Sequence, residues 1–200
     1  MLNGNKNTRF SMIFTNSRRI ISCYKFNFLE LLALKTDLFY NLLMKWRKPV
    51  FLKEIKMAKI TSKDKVLLIG CGILPSETTL IAEQTKSKII GIDNSIKACN
   101  LAQSYVQKKG LSDLIKIEYG DGANYPLQDF DVIFIAINVW PIDSVLKNLS
   151  YNAKANTRII CKSIKNDIVK FLEGREFHNS FSIGSQIENP KTQSILLIKK

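Results

Sequence analysis

The residues best suited to chemistry recur at strand-like intervals through the middle of a 200-residue chain. Gly70-Cys71-Gly72 closes the apolar run VLLI. Glycines at such a corner let the backbone turn sharply and approach a ligand closely, because no Cβ intervenes. A helix opening just beyond would present unpaired N–H groups and the positive end of its dipole to an anionic group. Asp93 ends a second apolar run, KIIGID, 23 residues after Gly70. An acid there can accept hydrogen bonds from both hydroxyls of a ribose, or can cap a helix beginning near Ile96. Asp121, in YGDGAN, ends a third run. It can accept from an adenine amino group while Gly120 and Gly122 keep the turn open, or it is a plain turn aspartate. Ala136-Ile137-Asn138 ends a fourth, FDVIFIAI.

Other chemistries find little material. His178 is the single histidine, and Cys23, Cys71, Cys99 and Cys161 are scattered, with no CxxC pair and no zinc spacing. No metal site is expected, and reduced thiols in a cytoplasmic protein are. No uncharged apolar run of about 18 residues suggests a transmembrane span, and MLNGNKNTRF lacks the apolar core of a secretory signal.

The elements that must position these residues can be read from periodicity. Short apolar strands are expected at Lys65–Gly70, Lys88–Asp93, Leu114–Tyr119, Phe130–Ile137 and Thr157–Ser163. Helices are expected at Pro75–Gln84, Ser95–Lys109, Ile142–Leu149 and Asn166–Glu173. Two further strands, Ser180–Glu188 and Gln193–Lys199, join through NPKT. Near-continuous apolar strands alternating with helices predict a parallel α/β sheet covered on both faces, ending in an antiparallel hairpin.

The first third of the chain differs. Residues 1–60 hold 12 Lys/Arg against 3 Asp/Glu, a balance of +9, while residues 61–200 hold 18 against 14, a balance of +4. Residues 1–17 read as unstructured. Beyond Ile20, Phe28, Leu31, Leu32, Leu38, Phe39, Leu42, Leu43 and Trp46 form an apolar stripe at helical spacing, which Pro49 should break at Lys48 ahead of a second helix from Val50 to Met57. The division is therefore a basic helical extension over 1–60 and an α/β domain over 61–200. The stripe reads as the face that packs on the domain. The basic residues leave contact of 1–60 with RNA or an anionic membrane surface open.

From about Lys65 onward the chain resembles the class I S-adenosylmethionine-dependent methyltransferases. The matching features are the G-C-G turn, Asp93, Asp121, FDVIFIA as fourth strand and the terminal hairpin. Pro75, where nicotinamide-binding domains carry a third glycine, weighs against that alternative. The resemblance implies a Rossmann-like fold and S-adenosylmethionine as cofactor, bound by Gly70, Cys71, Gly72, Asp93, Asn94, Asp121, Gly122, Ala136 and Asn138. Gly70 and Gly72 would pass under its amino-acid portion, Asp93 would hold its ribose and Asp121 would face its adenine. Leu68 stands where many members carry an acid. The turn G-C-G-I-L-P is similar to that of nicotianamine synthase-like enzymes, which transfer the aminopropyl arm of the same cofactor.

Asn138-Val139-Trp140-Pro141 is loosely similar to the N-P-P-[YF] motif of amino-group methyltransferases, but reads better as a loop with Trp140 packed beneath it. No catalytic base stands out. The implied function is methyl transfer to an unidentified small molecule or RNA. Aminopropyl transfer, and non-catalytic binding of nucleic acid or a membrane surface, are the alternatives.

Overall fold

The computed structural model describes residues 28–164, 179–189 and 192–200. Seven strands form one sheet: β1 (Lys65–Ile69), β2 (Lys88–Asp93), β3 (Ile115–Tyr119), β4 (Val132–Ile135), β5 (Arg158–Ile164), β6 (Phe181–Glu188) and β7 (Thr192–Lys199). Their order is β3-β2-β1-β4-β5-β7-β6. The first five run parallel, and β7 lies antiparallel to both β5 and β6. This is the Rossmann-like sheet with a terminal antiparallel hairpin that the sequence pattern implies. The expected unstructured stretch 1–17, the expected helix at 166–173, residues 190 and 191 of the NPKT turn, His178 and Cys23 lie outside the described residues.

The strands alternate their side chains between two cores, as the period of two requires. Leu67, Ile69, Ile133, Ile135 and Ile159 join Val145, Leu146 and Leu149 of α5 (Ile142–Asn152) on one face. Val66, Leu68, Val132, Phe134 and Ile160 join residues of α2 (Asp37–Ala58), α3 (Ser76–Thr85) and α4 (Ile96–Lys108) on the other. Ser95 caps α4, its hydroxyl accepting from the Ala98 amide at 3.3 Å. A short helix α1 over 28–35 precedes α2.

Two expectations about the extension are corrected. Pro49 does not end a helix: α2 runs unbroken from Asp37 to Ala58 with Pro49 inside it. The interruption lies at Thr36, whose hydroxyl caps α2 by accepting from Phe39 N at 3.4 Å. A proline removes one intrahelical bond, which tertiary docking on both sides of it can outweigh. Nor does the apolar stripe face the sheet. Leu38 and Trp46 are 77% and 76% exposed, and Phe28 and Leu42 are exposed with them. The buried residues are Ala33, Met44, Ile55 and Ala58, together with Glu30 and the fully buried Glu54, and of the stripe Leu43 packs beside Ala33.

Glu54 sets that rotation. Its Oε2 lies 2.9 Å from Lys162 Nζ of β5, and its Oε1 accepts from Ser194 Oγ of β7 at 2.5 Å. Lys162 also meets Glu77 of α3 at 2.5 Å and lies 4.6 Å over the Phe51 ring. Two carboxylates thus share one ammonium in a buried space. Burial pushes the Glu77 carboxyl up to about 7, Lys162 opposing and Glu54 reinforcing the shift. Burial also works against the Lys162 charge, but the two carboxylates prevail and its pKa is raised.

The Glu77 carboxyl therefore binds its proton more tightly folded than unfolded. Its contribution to stability is complete below the unfolded value near 4.5 and is lost as pH rises through about 7. Urea unfolding at pH 5 and pH 8 should show wild type losing more stability across this interval than Glu77→Gln. Lys162→Met, which strands two buried carboxylates, should cost about 3–5 kcal/mol at pH 8. Equal pH slopes in wild type and Glu77→Gln would contradict the assignment.

Candidate functional site

The chain leaves β1 in one direction along the sheet through β2 to β3, and returns to the other side of β1 with β4. Ligands in open α/β sheets bind at the carboxyl edge where the order reverses in this way. The turn after β1 is fixed by its neighbour: the Ile92 carbonyl accepts from Gly70 N at 2.8 Å and Cys71 N at 2.9 Å. Gly70 and Gly72 both have left-handed backbone, φ +81° and +68°. A Cβ on Gly70 would stand 2.7 Å from Val139 Cγ2, so this position needs glycine for space as well as for φ.

Asp93 completes the turn. Its Oδ2 accepts from Gly72 N at 3.0 Å and its Oδ1 from Ser95 N at 3.0 Å. It is therefore not the helix cap, a role taken by Ser95, and each oxygen keeps lone-pair capacity for a further donor. Asn94 beside it is exposed. Asp121 lies exposed after β3, its Oδ1 accepting from Ala123 N at 2.9 Å. Gly120 N donates to the Asp93 carbonyl at 3.1 Å, joining the second and third strand ends. After β4, Ala136 N donates to the Ile69 carbonyl at 3.0 Å, and Asn138 is exposed. Gly70, Gly72, Asp93, Asp121, Ala136 and Asn138 thus occupy one edge.

Three further positions are set by their neighbours, the last of them against expectation. Cys71 is buried, its side chain packed on Gly91, where an added Cβ would meet Cys71 Cβ at 3.1 Å. Only its backbone is available to a ligand, and burial, reinforced by the Asp93 charge, raises its thiol pKa. Gly122 is buried, and a Cβ there would collide with Ile69 Cγ2 at 2.6 Å, so its missing side chain serves packing. Trp140 is not packed beneath its loop but stands 52% exposed. Tyr125 packs near Phe130 and donates to Glu118 Oε2 at 2.6 Å, whereas Tyr119 is exposed.

One residue was not anticipated. Glu30 of α1 is buried, and its Oε2 would lie 3.3 Å from a Cβ on Gly72. Its Oε1 accepts from Arg47 Nη1 of α2 at 2.9 Å. Burial raises the Glu30 pKa, the charge of Asp93 adds to that, and Arg47 and the Leu74 backbone oppose it. The signal was present in the sequence as a lone acid within FNFLELLAL. Among the described residues no group of three or more His, Cys, Asp and Glu could hold a metal ion.

Comparison with known proteins bears on the fold. No family model matches the chain. Demethylmenaquinone methyltransferase of Lactobacillus johnsonii is 31% identical over 111 residues, a match covering 52% of this chain and 43% of that protein. The chain thus covers less than half the length of the curated relative it matches. Among solved structures, MtNAS, a nicotianamine synthase, in complex with S-adenosylmethionine superposes with a TM-score of 0.73 at 16% identity, over 92% of this chain and 75% of that one. An RNA methyltransferase from Salinibacter ruber in complex with S-adenosyl-L-homocysteine gives 0.62 at 13%, over 76% and 92%. A SAM-dependent methyltransferase from Aquifex aeolicus gives 0.63 at 18%, over 75% and 89%.

This is the class I S-adenosylmethionine-dependent methyltransferase fold. Within the class I fold, the turn after β1 in this chain is bordered by groups from outside the sheet, Val139 over Gly70 and Glu30 over Gly72. The collision at Gly70 can be measured. Gly70→Ala should lose about 1–3 kcal/mol in urea unfolding, combining left-handed strain with overpacking. Part of that loss should be recovered in Gly70→Ala/Val139→Ala, with a coupling of about 1 kcal/mol. Strict additivity of the two substitutions would mean that Val139 does not crowd the turn.

Proposed function

We propose that the chain is an S-adenosylmethionine-dependent methyltransferase whose cofactor lies across the carboxyl ends of β1 to β4. The observation that carries this reading is one juxtaposition. A left-handed glycine turn and the acid ending the next strand meet at the order reversal, joined by the Gly72–Asp93 hydrogen bond. The residues fit such a group, since the side of Gly72 that a Cβ would fill is faced by a carboxylate rather than by apolar packing. The likeness to a demethylmenaquinone methyltransferase and to structures carrying S-adenosylmethionine or S-adenosyl-L-homocysteine supports it.

When bound, S-adenosylmethionine supplies a carbon made electrophilic by the neighbouring sulfonium. The protein's part is to hold and orient. Gly70, the Cys71 backbone and Gly72 support the amino-acid portion. Asp93 accepts from the ribose hydroxyls, with Asn94 beside it. Asp121 faces the adenine, with Gly122 fixing its turn against Ile69, and Ala136 and Asn138 border the β4 side. In-line positioning of nucleophile and electrophile supplies most of what such a transfer needs.

In this reading residues 61–200 bind the cofactor, and residues 1–60 form the extension that admits the acceptor, a small molecule or an RNA. The same extension offers an anionic surface its +9 charge. Among the described residues no helix is long and apolar enough to cross a membrane. Cys71, Cys99 and Cys161 are free thiols, consistent with work in the reducing cytoplasm.

A second reading, transfer of the cofactor's aminopropyl arm, is favoured by one observation. The MtNAS superposition takes in 92% of the chain, more than residues 61–200 can supply, and so extends into the N-terminal helices.

Calorimetry should detect binding of S-adenosyl-L-homocysteine by wild type, weakened roughly tenfold or more in Asp93→Ala, which retains its circular dichroism spectrum. No binding at millimolar ligand would overturn the cofactor assignment. Product analysis then separates the two readings, because methyl transfer leaves S-adenosyl-L-homocysteine and aminopropyl transfer leaves methylthioadenosine.

A further inference from the structure

Glu30 lies outside the strand-end residues that the fold brings together, yet its carboxylate reaches the turn. It is 6% exposed, and it comes from the segment of the chain richest in positive charge. Among the described residues, three charged groups converge at Gly72: Glu30 and Asp93, both carboxylates, and Arg47, a guanidinium. With all three ionised, one negative charge remains unbalanced in a poorly solvated place. Buried charges require partners, so this arrangement has room for one cation. Arg47 engages Oε1, whereas Oε2 is the atom facing Gly72. Leu68, buried at 2% exposure in β1, offers no charge near the turn.

We propose that Glu30, supplied by helix α1, binds the α-ammonium group of the cofactor's amino-acid end. The inference rests on the cofactor reading above. It makes α1 part of the cofactor site. Burial raises the Glu30 pKa, and Arg47 and the Leu74 backbone only partly offset it, so a further cation beside the carboxylate would favour its ionised form. A charge-assisted hydrogen bond to an ammonium would stabilise the ionised form.

Removing either charge should test the pairing. With S-adenosyl-L-homocysteine, Glu30→Gln should raise Kd roughly tenfold to a hundredfold. With methylthioadenosine, which lacks the amino-acid end, wild type and Glu30→Gln should bind alike. A second measurement does not depend on the variant folding. Deamino-S-adenosyl-L-homocysteine, with hydrogen in place of the α-amino group, should bind wild type more weakly than the parent ligand by a similar factor.

Equal affinity of wild type for the parent and deamino ligands would overturn the proposal. So would an equal loss of both S-adenosyl-L-homocysteine and methylthioadenosine in Glu30→Gln, which would mark Glu30 as a strut beneath the turn. Failure of wild type to bind any of the three ligands would instead remove the cofactor reading itself.

Discussion

The site depends on how the end of β2 holds the turn after β1. Two consecutive groups do this, the Ile92 carbonyl accepting from Gly70 and Cys71, and the Asp93 carboxylate accepting from Gly72. Three successive amides of a left-handed turn would otherwise be orphaned at the edge of the sheet, and unpaired buried backbone groups are costly. The acid suited to a ribose is thus the same acid that builds the turn. Because its other oxygen accepts from Ser95, the start of α4 is positioned by the same carboxylate. These bonds lock strand, turn and helix together, the kind of preorganisation that precise positioning of two reactants demands.

The N-terminal helices are attached by electrostatics as much as by apolar contact. Glu54 of α2 is fully buried, with Lys162 of β5 and Ser194 of β7 as partners, and Lys162 is shared with Glu77 at the start of α3. At the other end of β5, Arg158 donates to the Ala58 and Lys59 carbonyls at 2.8 and 2.7 Å and pairs with Asp64. A buried ion pair is seldom a large net gain in stability, but it penalises any docking that separates its members. That specificity fixes the rotation of α2. It leaves Leu38, Leu42 and Trp46 facing outward, although their spacing makes them look like the packing face.

This explains which features were legible in the sequence. The strands were, because continuous apolar runs between turn residues have few alternatives, and β2 agrees with its expected bounds at both ends. Gly70, Gly72 and Asp93 were legible because turn geometry restricts which residues can stand there. Pro49 misled, since its local cost was read without the docking of Met44, Ile55 and Ala58 on both sides of it. The apolar stripe misled for a related reason: periodicity identifies a hydrophobic face but not what it meets. Trp140 and Gly122 depended on contacts with neighbours distant in the chain, as did Glu30. None of these is encoded in local pattern.

Glu30 also changes the meaning of the charge imbalance. A balance of +9 over the first 60 residues suggests a uniform positive surface, but charge acts at two scales in this extension. At long range, exposed lysines such as Lys45, Lys48, Lys53 and Lys56 set a field that attracts anions and is screened within about 10 Å at 0.1 M salt. At short range, inside a poorly solvated contact, the Glu30–Arg47 pair acts locally and is screened far less than the exposed lysines. The extension is therefore basic toward solution, yet it turns a paired carboxylate toward the glycine turn. Arg47 links the two scales: it belongs to the basic helix, yet it is turned inward to hold Glu30. On the proposed reading, a segment built this way would contribute to the cofactor site through Glu30 and to capture of an acceptor through its many bases.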